Sequence, residues 1–349
     1  MVRKKWKNPA PKHDLAGRLG TGEFKKRLDG LAYRYDYTYG LVKYLKKHSL
    51  IDLDVIRRIA ECYNYAVGGV FQDPKVGIRI FRSNACKQHR LCANCAHIRA
   101  KRNAMVLAEI VFCLMNAHPG YKPIFTTLTI RNGFEILERF LHVMNSFKRL
   151  QKIRKNAIEG QMSSMRSQVL GGLFSCEIKY TDKRMWHPHL HGIEFVPSDF
   201  SISQYDTELE KHWFKVTGDS MITRVKAVKM DTPEDLIKSC MEICKYSMKQ
   251  ASMTPALQYQ AYKATDRKQL VRRFGVFRGF KFDESYNISK FHQDLSKSPY
   301  QEFLLKRISD KDGSRFKSYM GKRYAGYHAE LYQLLELDDY EDVLNPVKP

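Results

Sequence analysis

Three histidines alternate along one short stretch of the chain, HPHLHGIEFV (187–196). In an extended strand successive side chains point to opposite faces, so His189 and His191 share a face about 6.5 Å apart along the chain. Two neutral imidazoles on one face can share a divalent metal ion. The spacing therefore indicates a metal site, with a metal-free surface hairpin as the alternative. His187 is left open as a ligand, a phosphate contact or a turn residue.

A second candidate site follows in DTPEDLIKSCMEICKYSMKQ (231–250). Thr232 is a suitable N-cap for a helix through this segment. At about 100° per residue, Glu242, Tyr246 and Lys249 share the face opposite the apolar one. A tyrosine hydroxyl has a reference pKa of about 10, so a nucleophilic role needs nearby cations or a metal that favour the loss of its proton. The alternative is that these three residues are an exposed polar trio without a catalytic role.

Three of the eight cysteines crowd into CKQHRLCANC (86–95), which is not the pattern of a disulfide framework. The residues whose spacing suits a tetrahedral, structural zinc ion are Cys86, His89, Cys92 and Cys95. Either His97 or Cys62 could replace His89 as the fourth ligand. Reduced cysteines near a helix start, without zinc, are the alternative.

The elements that must position these residues alternate between strands and helices. The predicted strands are 77–83, 124–131, 172–180, 189–196 and 221–228, with a turn at 181–188 that makes 172–196 a hairpin. The predicted helices are 53–67, 97–117, 134–155 and 231–250. This order favours an α+β fold with a central, mainly antiparallel sheet flanked by helices. The expected organisation is a basic, helical N-terminal region (1–70), a central domain (71–280) that contains the cysteine-rich segment, and a helical C-terminal region with an acidic tail (281–349).

The whole chain is strongly basic, with a formal net charge of +23 over 349 residues. Such a charge favours a polyanionic partner, nucleic acid before an anionic membrane surface. The chain lacks a run of about 20 apolar residues and the apolar core of a signal peptide, so we expect a cytoplasmic protein without membrane insertion. The glycines of GRLGTGEFKK (17–26) lack the Gly-Lys-Ser/Thr ending of a phosphate-binding loop. A separate helicase is therefore expected to unwind any duplex substrate.

Two basic segments, 148–155 and 267–282, are candidate DNA contacts. Cations in both can follow phosphates, and the aromatic rings interleaved in the second can stack on unpaired bases. A solvated helix face and a plain amphipathic hairpin are the respective alternatives. The candidate residues are Lys148, Arg149, Lys152, Arg154, Lys155, Arg272 and Arg273.

Three segments in order carry a family resemblance: FTTLTIRN (125–132), WHPHLHGIEF (186–195) and EICKYSMK (242–249). Their order and spacing resemble the three motifs of rolling-circle replication initiator (Rep) proteins of small bacterial plasmids, members of the HUH endonuclease superfamily. The cysteine run CKQHRLCANCAHIR is similar to a cysteine-rich segment ahead of the first motif in one branch of that family. The resemblance covers about residues 80–280.

The resemblance implies a role for each site residue. His189 and His191 would hold Mg²⁺ or Mn²⁺ against the scissile phosphate, with Glu177 on the neighbouring strand as candidate third ligand. Tyr246 would attack the phosphodiester, leaving a 3′-hydroxyl and a 5′-phosphotyrosyl link, and Lys249 would neutralise charge there. A carboxylate four residues before the tyrosine, here Glu242, would act as general base for a terminating hydrolysis.

The partners that the resemblance implies are double- and single-stranded origin DNA, a host helicase and a host polymerase, and a homodimer is left open. An HUH transposase or a mobilisation relaxase is the alternative within the superfamily. Two further alternatives come from other classes. A histidine-triad nucleotide hydrolase would explain the alternating histidines, although Pro188 and Gly192 interrupt its pattern. A non-catalytic zinc-knuckle DNA-binding protein would explain the charge and the cysteines.

Overall fold

The computed structural model describes residues 22–71, 78–244, 247–248, 253–278, 300–310 and 313–325. The helices are α1 (Gly22–Lys47), α2 (Leu53–Ala60), α3 (Ala93–Ala117), α4 (Ile136–Ile158), α5 (Ile202–Thr217), α6 (Pro233–Cys244) and α7 (Pro255–Thr265). The strands are β1 (Tyr65–Phe71), β2 (Ile78–Ser83), β3 (Tyr121–Thr129), β4 (Gly171–Thr181), β5 (Met185–Pro197), β6 (Thr223–Ala227), β7 (Ser247–Met248), β8 (Val271–Gly275), β9 (Tyr300–Asp310) and β10 (Gly313–Ala325).

These elements form two compact units. The described parts of 1–88, 92–94 and 282–349 make the first unit, and 89–91 with the described parts of 95–281 make the second.

The first unit is built on an antiparallel sheet in the order β10-β9-β1-β2. Helix α1 packs on this sheet, with the ring of Phe24 meeting that of Phe303 edge-on at 5.9 Å between centroids. The Arg307 guanidinium lies over the ring of Tyr35, 3.2 Å from its centroid, and donates to the carbonyl of Cys62 at 2.7 Å. Apolar packing and a stacked cation together join helix to sheet.

The C-terminal region departs from the expected helix. The described residues after 281 form the β9–β10 hairpin, and β9 pairs along the whole of β1, from Tyr65 opposite Lys306 to Phe71 opposite Tyr300. The helical prediction for this part is therefore wrong. A short apolar run such as 303–305 fits a buried strand as well as a helix, and only its pairing with β1 decides between them. The acidic tail lies outside the described residues.

The second unit is built on a sheet in the order β6-β3-β5-β4-β7, with β8 also paired to β4. The pairings are antiparallel except that of β4 with β7. The fold class is confirmed: a mainly antiparallel sheet with helices around it. The predicted strands appear as β2 to β6, and 172–196 is the predicted hairpin, with β4 and β5 as its arms.

Helices cover both faces of this second sheet. On one face α4, α5 and α7 pack against side chains that include Phe174, Cys176 and Leu190. On the other face α3 and α6 pack against Leu173 and Ile193. Because neighbours along a strand face opposite sides, Glu177 lies on the α3–α6 side of the sheet.

Two predicted helices end earlier than expected. Helix α2 stops at Ala60, and the chain enters β1 at Tyr65. Helix α6 stops at Cys244 instead of continuing to 250, and Ser247 and Met248 pair in parallel with β4. Backbone groups that pair with a sheet cannot also complete helical hydrogen bonds. The helical prediction for 247–248 is therefore wrong, whereas Tyr246 and Lys249, which the predicted shared face also requires, lie outside the described residues.

Within the described residues, no helix has both the length and the apolar character needed to cross a bilayer. All eight cysteines lie in described residues, and no disulfide bond joins any two of them.

Candidate functional site

The β4–β5 hairpin brings one carboxylate and two imidazoles together. Glu177 on β4 is the cross-strand partner of His189 on β5, and His191 follows two residues later on the same face. His189 Nε2 lies 2.7 Å from Glu177 Oε2, and His191 Nε2 lies 3.1 Å from the same oxygen. The three residues proposed from the sequence as metal ligands are thus adjacent.

The site is buried, and its charged groups shift one another's pKa values. Glu177 and His189 are 5% and 3% exposed, and Lys179 Nζ lies 3.3 Å from Glu177 Oε2. Burial alone would favour the neutral carboxyl, but hydrogen bonds from His189 and His191 outweigh it and lower the pKa of Glu177 far below its usual range. Burial also lowers the pKa of His189. The group therefore holds an ionised carboxylate beside a histidine that favours its neutral form.

This donor set suits a divalent cation. The three potential ligand atoms lie within 4.8 Å of one another. Carboxylate oxygen favours hard ions such as Mg²⁺ and Mn²⁺, whereas imidazole also accepts softer ions, so the set fits a divalent ion without selecting one. The two histidines and the glutamate could hold it on the face of the sheet that they share.

A residue that the sequence reasoning missed orients one of these histidines. Thr127 on β3 is the cross-strand neighbour of His191, and its Oγ1 lies 3.1 Å from His191 Nδ1. If a metal took the place of the hydrogen bond between His191 Nε2 and Glu177, the ring proton of His191 would lie on Nδ1, where Thr127 Oγ1 can accept it. The signal was present in the strand FTTLTIR, but only the pairing of β3 with β5 shows which threonine is involved.

His187 stands apart from the three-residue group. Its Nδ1 makes a short hydrogen bond with the side chain of Asn132, and its ring centroid is 5.2 Å from that of His189. Burial first, and then the charge of His189, lower the pKa of His187 to about 4. These contacts favour a neutral ring held by an amide.

The proposed nucleophile and its lysine, Tyr246 and Lys249, lie outside the described residues. The flanking residues are described. Glu242 is exposed in the last turn of α6, and Ser247 is the parallel cross-strand partner of Glu177. The residue that follows Tyr246 in the chain is therefore paired with a candidate metal ligand.

A buried cysteine cluster contains three of the four predicted zinc ligands. Cys62, Cys86, Cys92 and Cys95 have sulfur atoms within 4.8 Å of one another, and all four are buried. The Cys92 and Cys62 sulfurs are 3.6 Å apart, and the Cys86 amide donates to the Cys62 sulfur at 3.3 Å. Four converging thiols are a donor set typical of structural zinc.

The fourth position, which the sequence left open, is held in this group by Cys62. His89 instead has both ring nitrogens about 3 Å from an Arg99 guanidinium nitrogen, at 2.9 and 3.0 Å. Cys62 follows α2, far from the other three in sequence, so spacing alone could offer it only as one alternative.

The candidate DNA contacts divide into exposed and packed residues. Arg154 is half-buried on α4, donates to the Val169 carbonyl and lies 5.1 Å from the centroid of the Phe274 ring. Its contacts are those of a packing residue. The remaining candidates are exposed on α4 and β8, namely Lys148, Arg149, Lys152, Lys155, Arg272 and Arg273.

Comparisons with known proteins give a consistent result. Residues 77–302 match a family model described as Replication protein (Rep_1). A protein named "Protein rep" from Lactiplantibacillus plantarum is 25% identical over 207 residues, covering 54% of this chain and 61% of that protein. A "Protein rep" from Streptococcus pneumoniae is 24% identical over 185 residues, covering 49% of this chain and 53% of that protein.

The chain thus spans between about half and three-fifths of the length of these curated relatives. No solved structure matches the chain significantly.

Proposed function

Because the chain belongs to the Rep_1 replication protein family, we propose that it initiates rolling-circle replication of a plasmid by nicking one strand of the origin DNA. The protein would act as a metal-dependent endonuclease and strand transferase of the HUH type. The observation that carries it is the convergence of Glu177, His189 and His191 beside the strand that contains Ser247.

Glu177, His189 and His191, called here the metal group because they could hold a divalent ion, support binding of a scissile phosphate. A divalent ion held by these three residues would polarise a non-bridging phosphate oxygen and favour in-line attack. The chain itself supplies the ionised Glu177 carboxylate, and the Thr127 hydroxyl fixes the ring of His191. Mg²⁺ and Mn²⁺ are the proposed ions.

Tyr246 is the proposed nucleophile. Its phenolic oxygen, after losing a proton, bonds to phosphorus, and the 3′ oxygen leaves with the electron pair of the broken P–O bond and then takes up a proton. The product is a 5′-phosphotyrosyl link and a free 3′-hydroxyl that a host polymerase can extend. Lys249 is proposed to balance the negative charge, and strand religation reverses the same step without ATP.

Glu242 is the proposed general base for termination. Its exposed carboxylate in the last turn of α6 can reach solvent, which suits activation of a water molecule. Hydrolysis in place of a second covalent attack would end replication after one round.

The cysteine cluster has a structural role in this proposal. Four buried thiols offer no open coordination position, so a zinc ion there would stabilise the fold around Cys62 instead of binding substrate. The exposed cations of α4 and β8 would contact origin DNA phosphates, and a host helicase would open the duplex.

A covalent-adduct assay tests the function. Incubation with Mn²⁺ and a supercoiled plasmid carrying the cognate origin should give a protein–DNA species that survives denaturation, and Tyr246→Phe should abolish it. Glu242→Gln should still nick but fail to release the strand by hydrolysis. Tyr33→Phe, at an exposed tyrosine of α1, is the matched control and should behave as wild type.

The outcomes separate the candidate functions. A Tyr246→Phe protein that still forms the adduct would refute the assigned nucleophile. Wild-type protein that binds origin DNA but never nicks it would favour the zinc-dependent, non-catalytic DNA-binding protein.

A further inference from the structure

The second unit contains a cavity of about 710 Å³. One face of α3 forms a wall, the first half of β4 and the strand β8 form the floor, and the C-terminal end of α6 closes another side. This volume is within the range of about 300–1,000 Å³ that is usual for small-ligand sites.

The rim of the cavity is positively charged. Arg99, Arg272, Arg273 and Arg278 line it, and the described lining residues include no carboxylate. Arg272 donates to the side-chain oxygen of Gln269 at 2.7 Å, and Arg278 donates to the backbone carbonyl of Arg273 at 3.0 Å. These acceptors are uncharged, so they orient the guanidinium groups without neutralising them. Four cations that line one cavity are best compensated by an anionic ligand.

The interior of the cavity is apolar. The aliphatic side chains that line it are Val106, Leu107, Ile110, Leu173, Ile243 and Val271. An apolar interior below a rim of arginines matches the two parts of a nucleotide, because a base favours a dry surface or the plane of a guanidinium and its phosphates favour cations.

The position of the cavity connects it to the metal group. Ser175 lines the cavity, lies on the same face of β4 as Glu177 two residues away, and is the cross-strand partner of His191. Two residues of a strand span about 6.6 Å. Cys244, the last residue of α6, lines the opposite side.

From these observations we infer that the cavity holds one unpaired nucleotide of the DNA strand beside the phosphate to be cleaved. The base lies on the aliphatic interior, and Arg272 and Arg273 bind the phosphates that flank it. The arginines are positioning residues, since they set the register of the strand relative to the metal group. The identity of the strand rests on the proposed nicking function, whereas the nucleotide chemistry of the cavity does not.

Binding in EDTA tests the cavity without requiring cleavage. The probes are a fluorescein-labelled, mixed-sequence single-stranded oligonucleotide and its duplex, titrated at several salt concentrations. The double variant Arg272→Ala/Arg273→Ala should bind the single strand at least about tenfold more weakly. A plot of the logarithm of the association constant against the logarithm of the salt concentration has a negative slope. For the variant the magnitude of this slope should be smaller by about 0.7 for each phosphate that the protein no longer neutralises.

A second variant tests base insertion without changing charge. Val106 is half-buried at the cavity wall, so Val106→Trp fills the interior. This variant should weaken single-strand binding and leave duplex binding unchanged. Lys101→Ala, at an exposed lysine on the opposite side of α3, is the control and should bind as wild type. Unchanged thermal melting would establish that each variant is folded.

Each outcome decides one part of the inference. Unaltered single-strand affinity and salt slope in the double arginine variant would overturn it. Unaltered affinity in Val106→Trp would overturn base insertion. A wild-type protein that forms no covalent adduct, but whose cavity variants lose single-strand binding as expected, would refute the nicking function and leave the cavity assignment standing.

Discussion

At the scale of single residues, two adjacent threonines on β3 have different structural roles. Thr127 contacts His191 Nδ1, whereas Thr126 is fully buried and donates to Glu194 Oε2 at 2.8 Å. Because their side chains point to opposite faces, one supports the metal group and the other supports the core.

The same substitution should therefore have different effects at the two positions. Thr127→Val should lower Mn²⁺ affinity by about 10- to 100-fold, as is typical when a partner that orients a ligand is removed. Thr126→Val should lower the free energy of unfolding by about 1–3 kcal/mol, because a buried carboxylate loses a donor. Calorimetric Mn²⁺ titration and urea denaturation measure the two effects, and equal Mn²⁺ affinity in both variants would contradict the assignment.

The fourth zinc ligand is also decided at a single residue. We expect the purified protein to contain about one zinc ion, which Cys62→Ser should lose and His89→Ala should retain, because His89 contacts Arg99. Elemental analysis of each protein gives the zinc content. Loss of zinc from His89→Ala, together with retention by Cys62→Ser, would reverse the assignment.

At the scale of elements, a buried polar network joins β5 to α5 and to the turn before β4. Arg166 is fully buried, donates to Tyr205 Oη at 2.7 Å and lies 3.4 Å from Glu194 Oε1. The Tyr205 hydroxyl in turn donates to Glu194 Oε2 at 3.1 Å. The network stands on the face of β5 opposite the metal group, so it fixes the strand that carries the histidines.

Breaking this network should be costly. Arg166→Met leaves the Glu194 carboxylate buried without its cation, and the expected loss is about 3–5 kcal/mol of unfolding free energy by chemical denaturation. The control is Lys25→Met, which removes an exposed ion pair with Asp29 on α1 and should change stability by less than about 0.5 kcal/mol. Similarly small losses of unfolding free energy in both variants would show that the buried Arg166–Glu194 pair contributes little to stability.

At the scale of the whole molecule, the net charge of +23 should make the proposed DNA binding dependent on salt. Release of counterions from neutralised phosphates should reduce the affinity for unrelated duplex DNA by about a thousandfold or more between low and physiological salt. Fluorescence anisotropy at a series of salt concentrations measures the slope. A nearly flat dependence would mean that the basic residues do not contact phosphates and would require another partner for this charge.

Features that depend on local patterns of residues could be predicted from the amino-acid sequence alone. Alternation along 172–196 predicted the hairpin and put His189 and His191 on one face. Glu177 was only a candidate on the neighbouring strand until the register of β4 with β5 placed it opposite His189. The spacing of the cysteines, independently of any strand, predicted a metal site in the cysteine-rich segment. The strand pattern is readable because a strand repeats every two residues whatever it packs against.

Features that depend on distant partners emerged only in the folded chain. Pairing with β1 made strands of the described C-terminal residues, and pairing with β4 made a strand of Ser247 and Met248. Contacts across the chain likewise selected Cys62 for the cysteine cluster and Thr127 as the partner of His191. A short apolar run or a single polar residue carries no record of its distant neighbour, so the free energy of long-range pairing and burial sets its final conformation.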